Sequence, residues 1–309
     1  MSLTLDPFAP ALARVPVAFV NAYLVGERGG PWALVDTGLP KTAALVRRAA
    51  EERFGAGARP EAIVLTHGHF DHAGNAQDLA DAWDVPVWAH PLELPYLTGR
   101  SDYAPQDPTI PGAISFLSRF FPSSGFNLGA RVRALPEDGS VPGMDGWRWV
   151  HTPGHTAGHV SLFRESDRVL LAGDALATMD LDSWTAQLTK PRRLDRPPAP
   201  FTPDWDAARA SVYALAGLEP TVIAAGHGLP ITDAAAARLR TYDGSVEVPT
   251  EHRYGRAPAV ADETGIVALP PPAADPLPLK LAAGLAVAAA ARAALKRRGR
   301  PERDGPERD

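Results

Sequence analysis

Short apolar runs, each closed by glycine, aspartate or a charged turn, alternate with stretches of helical period along most of the chain. Residues 17–25 (VAFVNAYLV) and Trp32–Val35 predict two strands joined by a turn at Glu27-Arg28-Gly29-Gly30. Residues 41–54 predict a helix stopping near Gly55, 62–66 a strand running into His67, 73–83 a helix and 85–89 another strand. Further on, 131–135, Trp147–His151, Val160–Arg164 and 168–172 predict strands, and 204–215 predicts a helix with Asp204 near its start. Residues 221–225 predict a strand ending at Gly226-His227-Gly228, and 233–242 a helix. Strands and helices in alternation make an α/β pattern.

Two segments break this rhythm. Residues 92–128 are rich in proline and aromatic residues, with one short helical stretch at 113–121, and 179–203 are irregular. Both are expected as insertions that either cover apolar surface or wall a pocket. Residues 251–278 are Pro-rich and irregular, 279–295 are Ala-rich, and 299–309 form a charged tail expected to be disordered. The Ala-rich stretch is only weakly apolar and carries Lys280 and Arg292, so a docked or surface helix is expected and stable membrane insertion is not. The expected organisation is one main domain over 1–245 and a C-terminal extension over 246–309.

Composition narrows the chemistry. With 45% hydrophobic and 22% charged residues, the chain is neither wholly disordered nor collagen-like. A net charge of −5 gives no basic surplus for nucleic acid. The first residues lack a basic stretch followed by an apolar run, so a cytoplasmic protein is expected. The absence of cysteine excludes disulfides, thiolate metal sites and a Cys nucleophile, leaving His, Asp and Glu to hold any metal. Of nine histidines, seven fall between His67 and His159.

The densest cluster is Thr66-His67-Gly68-His69-Phe70-Asp71-His72 at the end of a predicted strand. His67 and His69 are two residues apart and can face one side of a loop, while Asp71 and His72 turn to a second point nearby. Imidazole and carboxylate suit Zn, Fe or Mn. Three later residues share this context, each after an apolar run and beside glycine: His155 in TPGHTAGH, Asp174 in LAGD, and His227 in AGHG.

These motifs, in this order and together with Asp36-Thr37-Gly38, resemble the metallo-β-lactamase-fold hydrolase superfamily over about residues 15–245. Within it the chain is more similar to the glyoxalase-II and lactonase-like branches than to true β-lactamases. The resemblance implies a four-layer αββα sandwich and two zinc ions, with Fe or Mn as alternatives. It implies that His67, His69 and His155 hold one metal, that Asp71, His72 and His227 hold the other, and that Asp174 bridges them. Asp36 resembles the superfamily's aspartate that orients a residue of the metal loop, and His159 would hydrogen-bond near the site. The implied reaction is attack by a bridging hydroxide on a small ester, thioester or lactone, with Asp71 guiding the proton. Alternatives of the same superfamily are a mononuclear iron persulfide dioxygenase and a phosphodiesterase or nuclease; a binding protein on this scaffold is a fourth reading. The expected partner is a small molecule, with Tyr103, Phe120, Trp184 and Arg192 as candidate substrate contacts. Tyr23 reads as core, and the constellation does not need His90, His151 or His252.

Overall fold

Along each central strand, alternate side chains enter different cores. In Trp32–Val35, Trp32 and Leu34 join one cluster while Ala33 and Val35 join another. In Val169–Gly173, Leu170 and Ala172 face one side and Val169 and Leu171 the other. A strand buried on both faces needs apolar residues throughout, hence the unbroken apolar runs in the sequence.

The computed structural model describes residues 6–243 and 245–275, together with 277, 278, 281–283, 285, 288 and 292. It divides into two compact units, Met1–Pro272 and Ala273–Asp309. In the second unit the residues described between 277 and 292 are helical. Lys296-Arg297-Arg298 and the charged tail lie outside the described residues. Among those described, no helix is long and apolar enough to cross a membrane.

The strands are β1 (Asp6–Ala9), β2 (Leu12–Val17), β3 (Val20–Gly26), β4 (Trp32–Val35), β5 (Ala62–Val64), β6 (Val87–Ala89), β7 (Val132–Ala134), β8 (Trp147–His151), β9 (Val160–Arg164), β10 (Val169–Gly173), β11 (Val222–Ala225), β12 (Val260–Asp262) and β13 (Gly265–Ala268). The helices are α1 (Ala43–Phe54), α2 (Ala76–Trp83), α3 (Leu94–Leu97), α4 (Ala113–Ser118), α5 (Trp184–Thr189), α6 (Trp205–Gly217), α7 (Ala235–Asp243) and α8 (Arg253–Arg256).

β1 to β7 form one sheet in sequence order, antiparallel up to β4 and parallel from β4 to β7. The second sheet runs β11-β10-β9-β8, with only the β10–β11 pair parallel. One core holds the first sheet against α1 and α2, through residues such as Leu34, Ile63, Val46 and Leu79. A second joins the other sheet to α6 and α7, through Leu170, Ile223, Leu215 and Leu239. A third lies between the sheets, where Val35 and Val64 meet Leu162 and Leu171. The layers are therefore helix, sheet, sheet, helix: an αββα sandwich.

Three predicted segments differ from what forms. Residues 17–25 are not one strand: β2 ends at Val17 and the chain turns through Ala18, at φ 57°, before β3 begins at Val20. Residues 179–203 contain α5, whose Ser183 side chain accepts from Ala186 N at 3.2 Å. Residues 251–278 contain α8 and the β12–β13 hairpin, turned where Asp262 Oδ1 accepts from Thr264 N at 2.8 Å. Val246 and Tyr254 enter the core beneath the second sheet.

Candidate metal centre

The C-terminal ends of parallel strands lie at one edge of an α/β sheet, where their loops can meet. β4 leads into Asp36, β5 into the His67–His72 loop, β10 into Asp174 and β11 into His227, while the β8–β9 loop carries His155. The seven residues meet in three overlapping groups: His67, His69 and His155; His67, His72 and Asp174; Asp71, His72 and His227. His69 Nδ1 lies 3.1 Å from His67 Nε2 and 2.9 Å from His155 Nε2. Asp174 stands between the two sides. Its Oδ2 is 3.1 Å from His227 Nε2 and 3.5 Å from His155 Nε2, and its Oδ1 is 3.5 Å from His72 Nε2. Asp71 Oδ2 lies 3.6 Å from His227 Nε2 and 3.9 Å from His72 Nε2.

The outer hydrogen bonds determine which ring nitrogens face inward. The Asp36 carboxylate accepts from Thr66 N (2.8 Å) and Thr66 Oγ1 (2.9 Å), and His72 Nδ1 donates to it at 2.8 Å. With its proton committed to Asp36, the Thr66 hydroxyl offers His67 Nδ1 only a lone pair, at 3.1 Å. Thr202 Oγ1 donates to Pro198 O and so accepts from His155 Nδ1 at 3.4 Å. His227 Nδ1 donates to the Phe19 carbonyl at 2.9 Å. His67 and His155 therefore keep their proton on Nδ1 and turn bare Nε2 atoms inward, while His72 and His227, each donating outward from Nδ1, aim their Nε2 atoms at the same space.

His67 Nε2 and His155 Nε2 both face His69 Nδ1, which can give a proton to only one of them, so a cation among the three would relieve the other. His72 Nε2 and Asp174 Oδ1 are also buried with no hydrogen-bond partner. Ligands bound tetrahedrally at about 2.1 Å stand roughly 3.4 Å apart, close to the separations seen here. The donor set thus fits divalent metal.

Protonation divides the cluster in two. Burial, with the neighbouring imidazoles, holds His67 and His155 well below the ordinary histidine range and His69 at about 3, so these rings stay neutral. At His72 and His227 burial opposes the charge, but Asp174 and the other carboxylates around them raise both. Burial also opposes charge on Asp174, yet His227 and His72 keep its carboxyl well below the usual range. Asp71 is raised by burial.

His159 faces the cluster without joining it. Its Nε2 accepts from Asp174 N at 2.8 Å and its Nδ1 donates to Thr152 Oγ1 at 2.8 Å. The Thr152 hydroxyl lies 3.0 Å from Ser161 Oγ, which donates to Ala172 O. Tyr23 is core, with its hydroxyl on Ala225 O at 2.6 Å. His90 and His151 stack 4.3 Å apart, and His252 Nδ1 contacts Thr109 Oγ1.

Glu93 is the residue that local pattern did not reveal. It is fully buried, and its carboxylate accepts from Gly68 N (2.9 Å) and Tyr103 Oη (2.6 Å) on one oxygen and from Thr156 Oγ1 (2.6 Å) and Gly158 N (3.0 Å) on the other. It ties the loop carrying His67 and His69 to the loop carrying His155. Burial raises its carboxyl, opposed by these four bonds.

A narrow pocket opens over the cluster, touching His69, Asp71, His155, Asp174 and His227. Its walls include Phe19, Phe70, Tyr103, Ile114, Phe121 and Phe201. Of the proposed substrate contacts only Tyr103 lines it. Phe120 is 72% exposed, and Trp184 packs on Phe116 on the surface. Arg192 borders a separate groove with Arg193 and Arg238. The insertions place aromatic rings at the site, through Phe121 and Phe201 rather than Phe120 and Trp184.

The family model described as the metallo-beta-lactamase superfamily matches residues 15–227. The chain is 45% identical over 227 residues to the probable metallo-hydrolase YflN of Bacillus subtilis, covering 72% of this chain and 86% of that one. It is 30% identical to the probable metallo-hydrolase YybB of the same organism, over 63% of this chain and 74% of that one. Among solved structures, the BLEG-1 B3 metallo-beta-lactamase superposes with a TM-score of 0.52 at 25% identity, covering 71% of this chain and 93% of that one. The metallo-beta-lactamase family protein TTHA1429 of Thermus thermophilus gives 0.53 at 25% identity, covering 76% and 79%. With its sandwich, its motifs and its inward-facing histidines, this chain belongs to the metallo-beta-lactamase superfamily of metallo-hydrolases.

Proposed function

We propose that the chain is a dinuclear zinc hydrolase of a small ester, thioester or lactone. The observation that carries this reading is the convergence of five imidazoles and two carboxylates in three overlapping groups beside a largely apolar pocket. His67, His69 and His155 would hold one ion, Asp71, His72 and His227 the other, and Asp174 would lie between them. Two such ions supply a water-derived nucleophile at neutral pH and polarise the carbonyl oxygen.

The chain's own groups do the rest. Neutral His67, His69 and His155 present lone pairs without first losing a proton. Asp36 and His159 hold His72 and Asp174 in place. The Asp71 carboxylate lines the pocket, where the oxygen not turned to a metal could take a proton from the attacking group and return it to the leaving group. The aromatic walls exclude water around the reacting carbonyl.

The test is metal content by mass spectrometry on freshly purified protein, followed by assay against ester, thioester, lactone and phosphodiester panels. Two zinc ions per chain with turnover of a carboxylic ester class is the expected result. One iron per chain with oxygen uptake on a persulfide, or turnover of phosphodiesters alone, overturns it.

A further inference from the structure

We infer that the substrate is uncharged and carries an apolar, ring-sized or short-chain group seated against Phe19, Phe70, Phe121 and Phe201; this rests on the hydrolase reading above. The pocket over the cluster is bounded by aromatic rings that contact one another. Phe121 lies 5.8 Å from Phe19, 5.0 Å from Phe70 and 6.3 Å from Phe201 between ring centroids. Phe19 also stacks on the His227 ring at 6.1 Å, so this apolar wall begins at the metal-ligating side chains themselves.

Among the described residues, no lysine or arginine lines the pocket; its acidic side chains are Asp71 and Asp174, beside histidines of the cluster. Lys190 donates to Ala18 O at 3.4 Å and does not line the pocket. A second, roomier chamber shares His69, Tyr103, His155 and Phe201 with the first and continues to Ala261 and Ile266 of the β12–β13 hairpin. Among the described residues it too has no lysine or arginine in its lining, and the acidic residue there is Asp204. Only the first chamber touches residues of both proposed metal sites, so the reacting carbonyl belongs there. A carboxylate or phosphate carried elsewhere on the substrate would lose water and meet no cation from the protein in either chamber. A neutral apolar group gains by leaving water at the same walls.

Two matched pairs of probes test this. The para-nitrophenyl ester of hexanoic acid and the mono-para-nitrophenyl ester of adipic acid have acyl chains of equal length and differ by a terminal carboxylate. The expected kcat/KM ratio favours the neutral ester by at least about tenfold, and Phe121→Arg narrows or inverts it. Methyl hexyl ketone and its ω-carboxylated analogue cannot be hydrolysed, and saturation-transfer NMR reads their binding to the metal-loaded protein. Here the neutral ketone is expected to bind and the carboxylated one to bind at least about tenfold more weakly. Equal binding, preference for the anion, or no binding of the neutral ketone overturns the inference. If the thioester and lactone panels are silent along with both esters while the ketones still differ, the hydrolase reading fails and the pocket's preference stands.

Discussion

The imidazole of His159 accepts a hydrogen bond from the backbone N–H of Asp174 at 2.8 Å. It thereby aligns the aspartate that lies between the two groups of histidines, without contributing a ligand of its own. His159→Leu leaves that amide buried and unpaired, and should weaken metal binding by roughly 10–100-fold. His159→Gln, which can still accept a hydrogen bond, should recover part of the loss. Competition with a chelator of known affinity measures both variants. Equal metal retention by the two would show that the bond does not tune the site.

Asp36 sits in the left-handed region, at φ 57°, and its carboxylate meets both Thr66 and His72. It therefore reaches one histidine directly and His67 through the Thr66 hydroxyl. Asp36→Asn turns an amide N–H₂ toward at least one existing donor. Metal affinity should fall roughly 10–100-fold, with occupancy reduced on both sides of the cluster. Equilibrium dialysis with metal analysis reads this; unchanged occupancy would count against the relay through Thr66.

Glu93→Gln makes the same exchange inside the strap between the two metal loops. Four donors converge on the native carboxylate, and an amide can accept on one oxygen only. The variant should lose about 1–3 kcal/mol of unfolding free energy, read from urea titration. Tyr103→Phe, which removes one donor and leaves the carboxylate satisfied by three, should lose less. The reverse order would mean that Tyr103 packing, rather than the carboxylate, holds the loops.

His90 offers a dependence on pH that avoids the metal ligands. Burial, with the stacked His151 nearby, holds its pKa at about 4, against roughly 6.5 in an unfolded chain. Between these values the unfolded state binds a proton that the folded state does not. The contribution of His90 to stability is thus present above pH 6.5 or so and is lost as pH falls toward about 4. His90→Asn keeps an acceptor near Leu92 N but does not titrate. Urea midpoints at pH 7 and pH 5 should shift less in the variant than in the wild type. Identical shifts would assign the acid sensitivity to other groups.

The sequence made the central strands and the seven clustered residues legible for physical reasons. Trp147–His151 and Val160–Arg164 formed with the predicted bounds because cross-strand pairing needs extended apolar segments between turns. The His/Asp motifs stood out because few side chain types can donate to a metal. By contrast, the turn between β2 and β3 passes through Ala18 and Phe19, with no Gly, Pro or Asn to mark it. Glu93 was hidden because its partners, Gly68, Thr156 and Gly158, are distant in sequence. The pocket walls were only half visible: the insertions were aromatic, but which rings turn inward depends on tertiary packing. Phe121 faces the site while Phe120, its neighbour, faces solvent.

The four-layer arrangement has a further consequence. His67, His69, Asp71 and His72 follow β5 of the first sheet, whereas His155, Asp174 and His227 belong to the second. Neither half of the polypeptide owns a complete coordination sphere. Between β7 and β8 the chain passes through an exposed stretch at Glu137 and Asp138, where a cut would separate these two inventories of donors. Metal uptake by such a cut chain would then report the reunion of two pieces, neither of which holds all seven clustered residues.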